Sequence, residues 1–190
     1  MMVNNKRDGH MKICMFGASS DRIKREYLDA ARDFGRAVAG AGHELWFGGG
    51  AHGVMGEAAR GAAEAGGVIV GVAPSFFNTG DVLYKSCTRF IYTDTMRKRK
   101  AELEAGADAF AVLPGGIGTY EEFFEVLVLC QLGQMHKPIA VYNIDGCYDA
   151  MYALLENTVS EGFMDAANLT LCRFCTSAAE VMEYFEEYYK

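Results

Sequence analysis

Residues 114 to 122 read Pro-Gly-Gly-Ile-Gly-Thr-Tyr-Glu-Glu, directly behind the apolar run from Ala109 to Leu113 and ahead of a long helical pattern. A strand that passes through a glycine-rich turn into a helix start makes an anion site. Gly115, Gly116 and Gly118 let the backbone approach a ligand closely, and the exposed amides and positive helix end then point at a phosphate. Thr119 adds a hydroxyl, and Glu122 puts a carboxylate one helical turn further on. A phosphate cradle with an acid beside it implies chemistry on a phosphorylated small molecule. The Thr119–Glu122 spacing also fits a capping box, which ties down a helix start without any catalysis. A simple cap does not require three glycines, so the ligand site is favoured.

Other segments carry residues of the same kind. Gly48-Gly49-Gly50-Ala51-His52-Gly53 matches G-x-G-x-x-G, the dinucleotide fingerprint. The strand before it is the second of the chain, and Ala73-Pro74-Ser75-Phe76, after the next strand, lacks the acid that would hold an adenosine ribose. These glycines are therefore read as room for a mononucleotide. Arg97-Lys98-Arg99-Lys100 puts four cations in the first turn of a helix that Asp94 or Thr95 can cap. That is the wrong end for the dipole, so an anionic ligand or a partner carboxylate is expected to offset it. Met96, Lys100 and Leu103 should turn inward with Arg99 beside them. His52 and His136 are read as structural hydrogen-bonding residues. Cys172-Arg-Phe-Cys175 is a lone CxxC inside an expected strand, with no paired histidines to complete a zinc set, and is read as strand residues, not a redox pair.

The elements that position these residues alternate along the chain. Strands are expected near 11–16, 44–47, 68–72, 88–93, 109–113, 139–142 and 170–174, and helices near 22–40, 53–65, 96–105, 119–133, 147–160 and 177–188. Seven strands with helices between most of them imply an α/β fold whose largely parallel sheet is covered on both faces. Ligands bind beyond the carboxyl ends of such strands, where Gly17-Ala18-Ser19-Ser20, Gly48 to Gly50, Gly71 to Pro74 and Pro114 to Thr119 should converge. The expected helix 119–133 is apolar nearly all round. One stripe serves the sheet; the second needs a partner, most simply the same helix in a homodimer, or else a C-terminal helix. Phe123 with Leu127 and Phe124 with Val128 form opposed pairs, and the pattern leaves open which faces the sheet.

Composition sets the outer limits. Length fits one domain over residues 11–190, behind a loosely ordered tail at 1–10. A net charge of −7 argues against a nucleic-acid binder. No apolar stretch is long enough for a membrane span. Without a secretory signal, the six cysteines read as reduced thiols of a cytoplasmic protein.

At this point the residues resemble the lonely-guy family, long labelled lysine decarboxylase-like, whose characterised members are cytokinin riboside 5′-monophosphate phosphoribohydrolases. The likeness runs from Ile13 to about Glu186. It rests on P-G-G-x-G-T-x-x-E at Pro114 to Glu122, on Met96, Arg99 and Lys100, on G-G-G-x-x-G-x-M-G at Gly48 to Gly56 including Met55, and on the Gly17–Ser20 turn. The resemblance implies a Rossmann-like, three-layer homodimer that hydrolyses the N-glycosidic bond of a nucleoside monophosphate such as AMP. It implies Arg99 and Glu122 as the catalytic pair. Gly115, Gly116, Gly118 and Thr119 would hold the 5′-phosphate with Lys100 at the same site, and Gly17, Ser19, Ser20, Gly49, Gly50 and Met96 would complete substrate binding. Asp81 stands where many members carry a base-proximal glutamate, and Val128-Leu129 replace a frequent threonine-tryptophan, which leaves base preference open.

A carboxylate such as Glu122 would oppose the positive charge that builds on the ribose as the bond breaks, or would position water. Arg99 would hold the phosphate or hydrogen-bond the leaving base. The reaction needs no metal or cofactor, and nothing marks a lysine that would carry pyridoxal phosphate for a decarboxylase. Non-catalytic nucleotide- or molybdenum-cofactor-binding modules share the glycine motif; the presence of both Arg99 and Glu122 favours an enzyme.

Overall fold

The computed structural model describes residues 9–190, so most of the expected N-terminal tail lies outside the described residues. Strands β1 (Lys12–Phe16), β2 (Glu44–Phe47), β3 (Val68–Pro74), β4 (Arg89–Thr93), β5 (Ala109–Val112), β6 (Ile139–Tyr142) and β7 (Cys172–Cys175) form one sheet in the order β4-β3-β2-β1-β5-β6-β7. Every pairing is parallel. Short apolar runs such as Ala109 to Val112, buried at every position, suit strands covered on both faces.

Helices α1 (Arg25–Gly40), α2 (Gly53–Glu64) and α6 (Ala178–Tyr188) cover one face, and α3 (Met96–Gly106), α4 (Ile117–Gln131) and α5 (Asp149–Ser160) the other. Phe34, Ala58 and Phe185 fill the first interface; Leu103, Phe123 and Leu155 fill the second. This is the expected three-layer α/β architecture. Among the described residues, no helix is long and apolar enough to cross a membrane.

The boundaries differ from expectation where local turns intervene. The α1 helix opens at Arg25 and α4 opens at Ile117, because Gly116, and not a residue nearer Thr119, takes the non-helical cap position. Residues Ala166–Leu171 coil into a 3-10 turn, which delays β7 to Cys172. Cys172 and Cys175 then project into opposite core layers, so the sheet itself separates the two thiols. On α4 the open choice is resolved: Phe123 and Leu127 bury against the sheet, while Val128 is 46% exposed.

Candidate active site

The order β2-β1-β5 makes the gap between β1 and β5 the point where successive connections diverge, and ligands of open α/β sheets bind there. A cleft of about 860 Å³ opens at this end of the sheet. The turn after β1 is tied to both neighbours: Ala18 donates its amide to Pro114 O (3.1 Å), and Ala18 O accepts from the Met55 amide (3.2 Å). Three loops far apart in sequence thus form one wall.

Arg99 and Glu122 meet at the base of the cleft. Thr95 caps α3, its hydroxyl accepting from the Lys98 amide at 3.2 Å, and this places Arg99 one turn in, facing the sheet. Arg99 donates from Nε to Val72 O at 3.2 Å and from Nη1 to Glu122 Oε1 at 2.8 Å. Both side chains are nearly buried, at 10% and 12% exposure. The guanidinium fits because residue 48 is glycine: a Cβ there would lie 2.0 Å from Arg99 Nη2. Burial pushes the Glu122 carboxyl above the usual carboxylate range, and Arg99 pulls it back. A carboxylate in that state is poised to take a proton or oppose a developing cation.

Thr119 is the third residue of α4, not its cap, and Glu122 turns to Arg99, so the capping-box reading fails. Gly116 offers no side-chain cap, and no acidic residue occupies the first turn. The amides at Ile117, Gly118 and Thr119 therefore face the cleft end with no partner inside the helix. The start of α2 differs. There Asp21 Oδ1 accepts from the Gly53 amide at 2.7 Å, and Oδ2 lies 2.9 Å from His52 Nδ1. The glycine-rich turn before α2 is already stoppered by a carboxylate of the chain itself.

Most residues expected at the site line the cleft: Gly17, Ser19, Ser20, Gly50, Asp81, Met96, Arg99, Gly116, Gly118, Thr119 and Glu122. Gly49, Lys100 and Gly115 stand outside that lining. Gly49 packs against Phe90, and Gly115 sits behind Thr119. Lys100 reaches across to α4, pairing with Glu121 and with Glu125 Oε2 at 2.8 Å. The expected partner carboxylates for Arg99 and Lys100 are thus those of α4, while Lys98 pairs with Asp94 just ahead of α3. Phe77 and Leu83 line the cleft as well, from a segment (75–86) expected to shape the base pocket, and so does His52, which was read as structural. Leu83 arrives through an isolated bridge to Gly50, braced by Ala51 N to Val82 O at 2.9 Å and Tyr84 N to Gly49 O at 2.8 Å. The apolar residues in the otherwise polar stretch 75–88 were the available signal.

Residues 55–185 match the family model described as possible lysine decarboxylase. The probable cytokinin riboside 5′-monophosphate phosphoribohydrolase LOGL3 of Oryza sativa subsp. japonica is 34% identical over 177 residues, covering 93% of this chain and 84% of that protein. The cytokinin riboside 5′-monophosphate phosphoribohydrolase LOG2 of Arabidopsis thaliana is also 34% identical, covering 93% and 83%. Among solved structures, the molybdenum cofactor carrier protein of Chlamydomonas reinhardtii superposes with a TM-score of 0.72 at 22% identity, covering 94% of this chain and 98% of that one. At that identity the likeness speaks for the fold alone. With most of its length matched by the family model and by these plant proteins, the chain belongs to the LOG family, whose model bears the description possible lysine decarboxylase.

Proposed function

We propose that the protein hydrolyses the N-glycosidic bond of nucleoside 5′-monophosphates, AMP or a cytokinin riboside monophosphate, to free base and ribose 5-phosphate. The observation that carries this reading is the uncapped start of α4 with the buried Arg99–Glu122 pair one turn beyond it. The 5′-phosphate lies on the amides of Gly116 to Thr119, because the start of α2 is already filled by Asp21. The ribose then falls against Glu122. As the C1′–N bond lengthens, positive charge gathers on the ring, and the carboxylate opposes it and orients the attacking water. Arg99 keeps that carboxylate ionised and fixed. Lys100 acts behind the site, joining α3 to α4, instead of touching the phosphate.

The decarboxylase label finds no support in the cleft, where no lysine is among the lining residues that could carry a pyridoxal phosphate Schiff base. Residues 11–190 work as one nucleotide-binding unit, in the cytoplasm, with six free cysteines consistent with that setting. Two copies associate through the outer stripe of α4. Product analysis after incubation with AMP tests the reading: free adenine and ribose 5-phosphate should appear, and adenosine, lacking the anion, should react far more slowly. Recovery of unchanged AMP would overturn it in favour of a binding module.

A further inference from the structure

Cleaving a glycosidic bond leaves the bonding electrons on the base, and a purine departs readily only if a proton reaches it. Arg99 cannot supply that proton, since a guanidinium stays protonated. Glu122 is needed as a carboxylate. Of the other titratable side chains lining the cleft, Glu121 is bound to Lys100, and Asp81 to Lys85 at 2.8 Å. His52 is left, and imidazole is the side chain that both holds and releases a proton near neutral pH.

The strand order places His52 at the base end. The phosphate cradle follows β5 and His52 follows β2, with β1 between them. Two strand spacings amount to roughly 10 Å, about the reach of a nucleoside monophosphate from its phosphate to its base. His52 is also near enough to Asp81 for its charge to be felt there, across the same end of the cleft.

The ring is held. Asp21 takes its Nδ1 at 2.9 Å, which leaves Nε2 as the nitrogen open to a ligand. The Gly53 amide holds the Asp21 carboxyl below the usual carboxylate range, so it stays an anion behind the ring. Gly53 itself has φ +60°, and a Cβ there would lie 2.7 to 2.8 Å from the backbone of Ala18 and Ser20. The two loops that carry Asp21 and His52 therefore cross in direct contact, and the pair sits on fixed backbone. A carboxylate behind an imidazole in this way sets which nitrogen exchanges a proton.

Resting on the hydrolase reading above, we propose that His52, oriented by Asp21, delivers a proton to N7 of the departing purine. As the C1′–N9 bond breaks, its electron pair passes to the purine and the His52 Nε2 proton moves to N7. Glu122 takes a proton from the water whose oxygen bonds to C1′. Solvent then reprotonates His52 and receives the proton from Glu122, so one water is consumed.

The test compares AMP with its N7-methylated form, whose purine is already cationic and leaves without a proton. Wild type should hydrolyse both. His52→Gln should lose roughly a hundredfold on AMP and less than about threefold on the methylated nucleotide, with an unchanged melting temperature because the ring is half-exposed. Asp21→Asn should show the same split at smaller size. Equal losses on both nucleotides, or no loss on AMP, would overturn the assignment. If wild type hydrolyses neither, the hydrolase reading falls, and this inference falls with it.

Discussion

The starts of α2 and α4 follow the same plan and end in opposite states. Each comes after a glycine-rich turn at the carboxyl end of a strand beside β1, and each points its first amides toward the same crevice. At α2 the Asp21 carboxylate occupies the Gly53 amide; at α4 the cap is Gly116, and the first turn holds no acid. Glycines make both turns possible, but they do not make both turns anion sites. What separates a phosphate site from a helix start already neutralised is whether the chain brings its own anion. The outer faces differ in the same sense. The outer side of α2 is covered by α1 through Arg32–Glu57 and Arg36–Glu64 pairs, whereas α4 shows Ile117, Tyr120 and Val128 to solvent.

The sharpest test removes the charge that makes the open end chemical and not merely adhesive. Glu122→Gln keeps the size of the side chain and a hydrogen bond to Arg99, but loses the negative charge facing the ribose. The rate on AMP should fall by roughly a hundredfold or more, with a melting temperature within a few degrees of wild type. In wild type, burial raises the carboxyl, so activity should be lost as pH falls through a value above the ordinary glutamate range; the residual glutamine rate should lack that acid limb. An active variant that unfolds easily would make Glu122 a structural residue and would dissolve the contrast between the two helix starts.

A second test converts one end into the other. Gly118 has open space where a Cβ would stand, so a side chain enters without collision. Gly118→Asp should place a carboxylate on the α4 amides as Asp21 does on α2. The KM for AMP should rise about tenfold, corresponding to about 1.4 kcal/mol from the loss of the anion site. Gly118→Ala, which adds the carbon but not the charge, should stay within about twofold. Similar losses in both variants would mean that space, and not charge, governs the cradle.

The same contrast explains what could be read in advance. The seven strands were legible as short, mostly apolar runs, buried throughout at β5 and β6, and the phosphate cradle was legible because its glycines and acid are consecutive. Asp21 was invisible: it acts on an amide 32 positions away, and no spacing in the chain marks that contact. His52 was read as a structural hydrogen-bonding residue, and its contact with Asp21 agrees with that, but its place in the cleft lining was not legible. Lys100 was expected at the phosphate from the family resemblance, yet neighbours on a helix diverge by about 100°. Arg99 turns to the cleft and Lys100 to Glu121 and Glu125. The stretch 75–88 had no periodicity to read, because an isolated bridge to Gly50 and scattered bonds to neighbouring loops and strands hold it, not a regular element.

The smallest effect on turnover is expected at the outer face of α4, and it bears on the comparison most widely. Ile117, Tyr120, Phe124 and Val128 follow one another at spacings of three and four, which lines them along one side of the helix. Phe123 and Leu127 already serve the sheet, and Phe124 is partly buried against the same core layer, which leaves Ile117, Tyr120 and Val128 as the exposed part of this stripe. A helix face turned only to water would carry charges there. A two-fold axis along α4 would set the stripe against its own copy, and the substitution at Val128 would then bury two aspartates, one from each subunit. Val128→Asp should therefore shift the protein from dimer to monomer in light scattering at micromolar concentration. Because Val128 lies well along the helix from the cradle at its start, activity should fall only severalfold, through loosened positioning of Gly116 to Glu122. A wild-type protein that is monomeric and fully active would leave the stripe without this partner, and the open start of α4 would then function on its own.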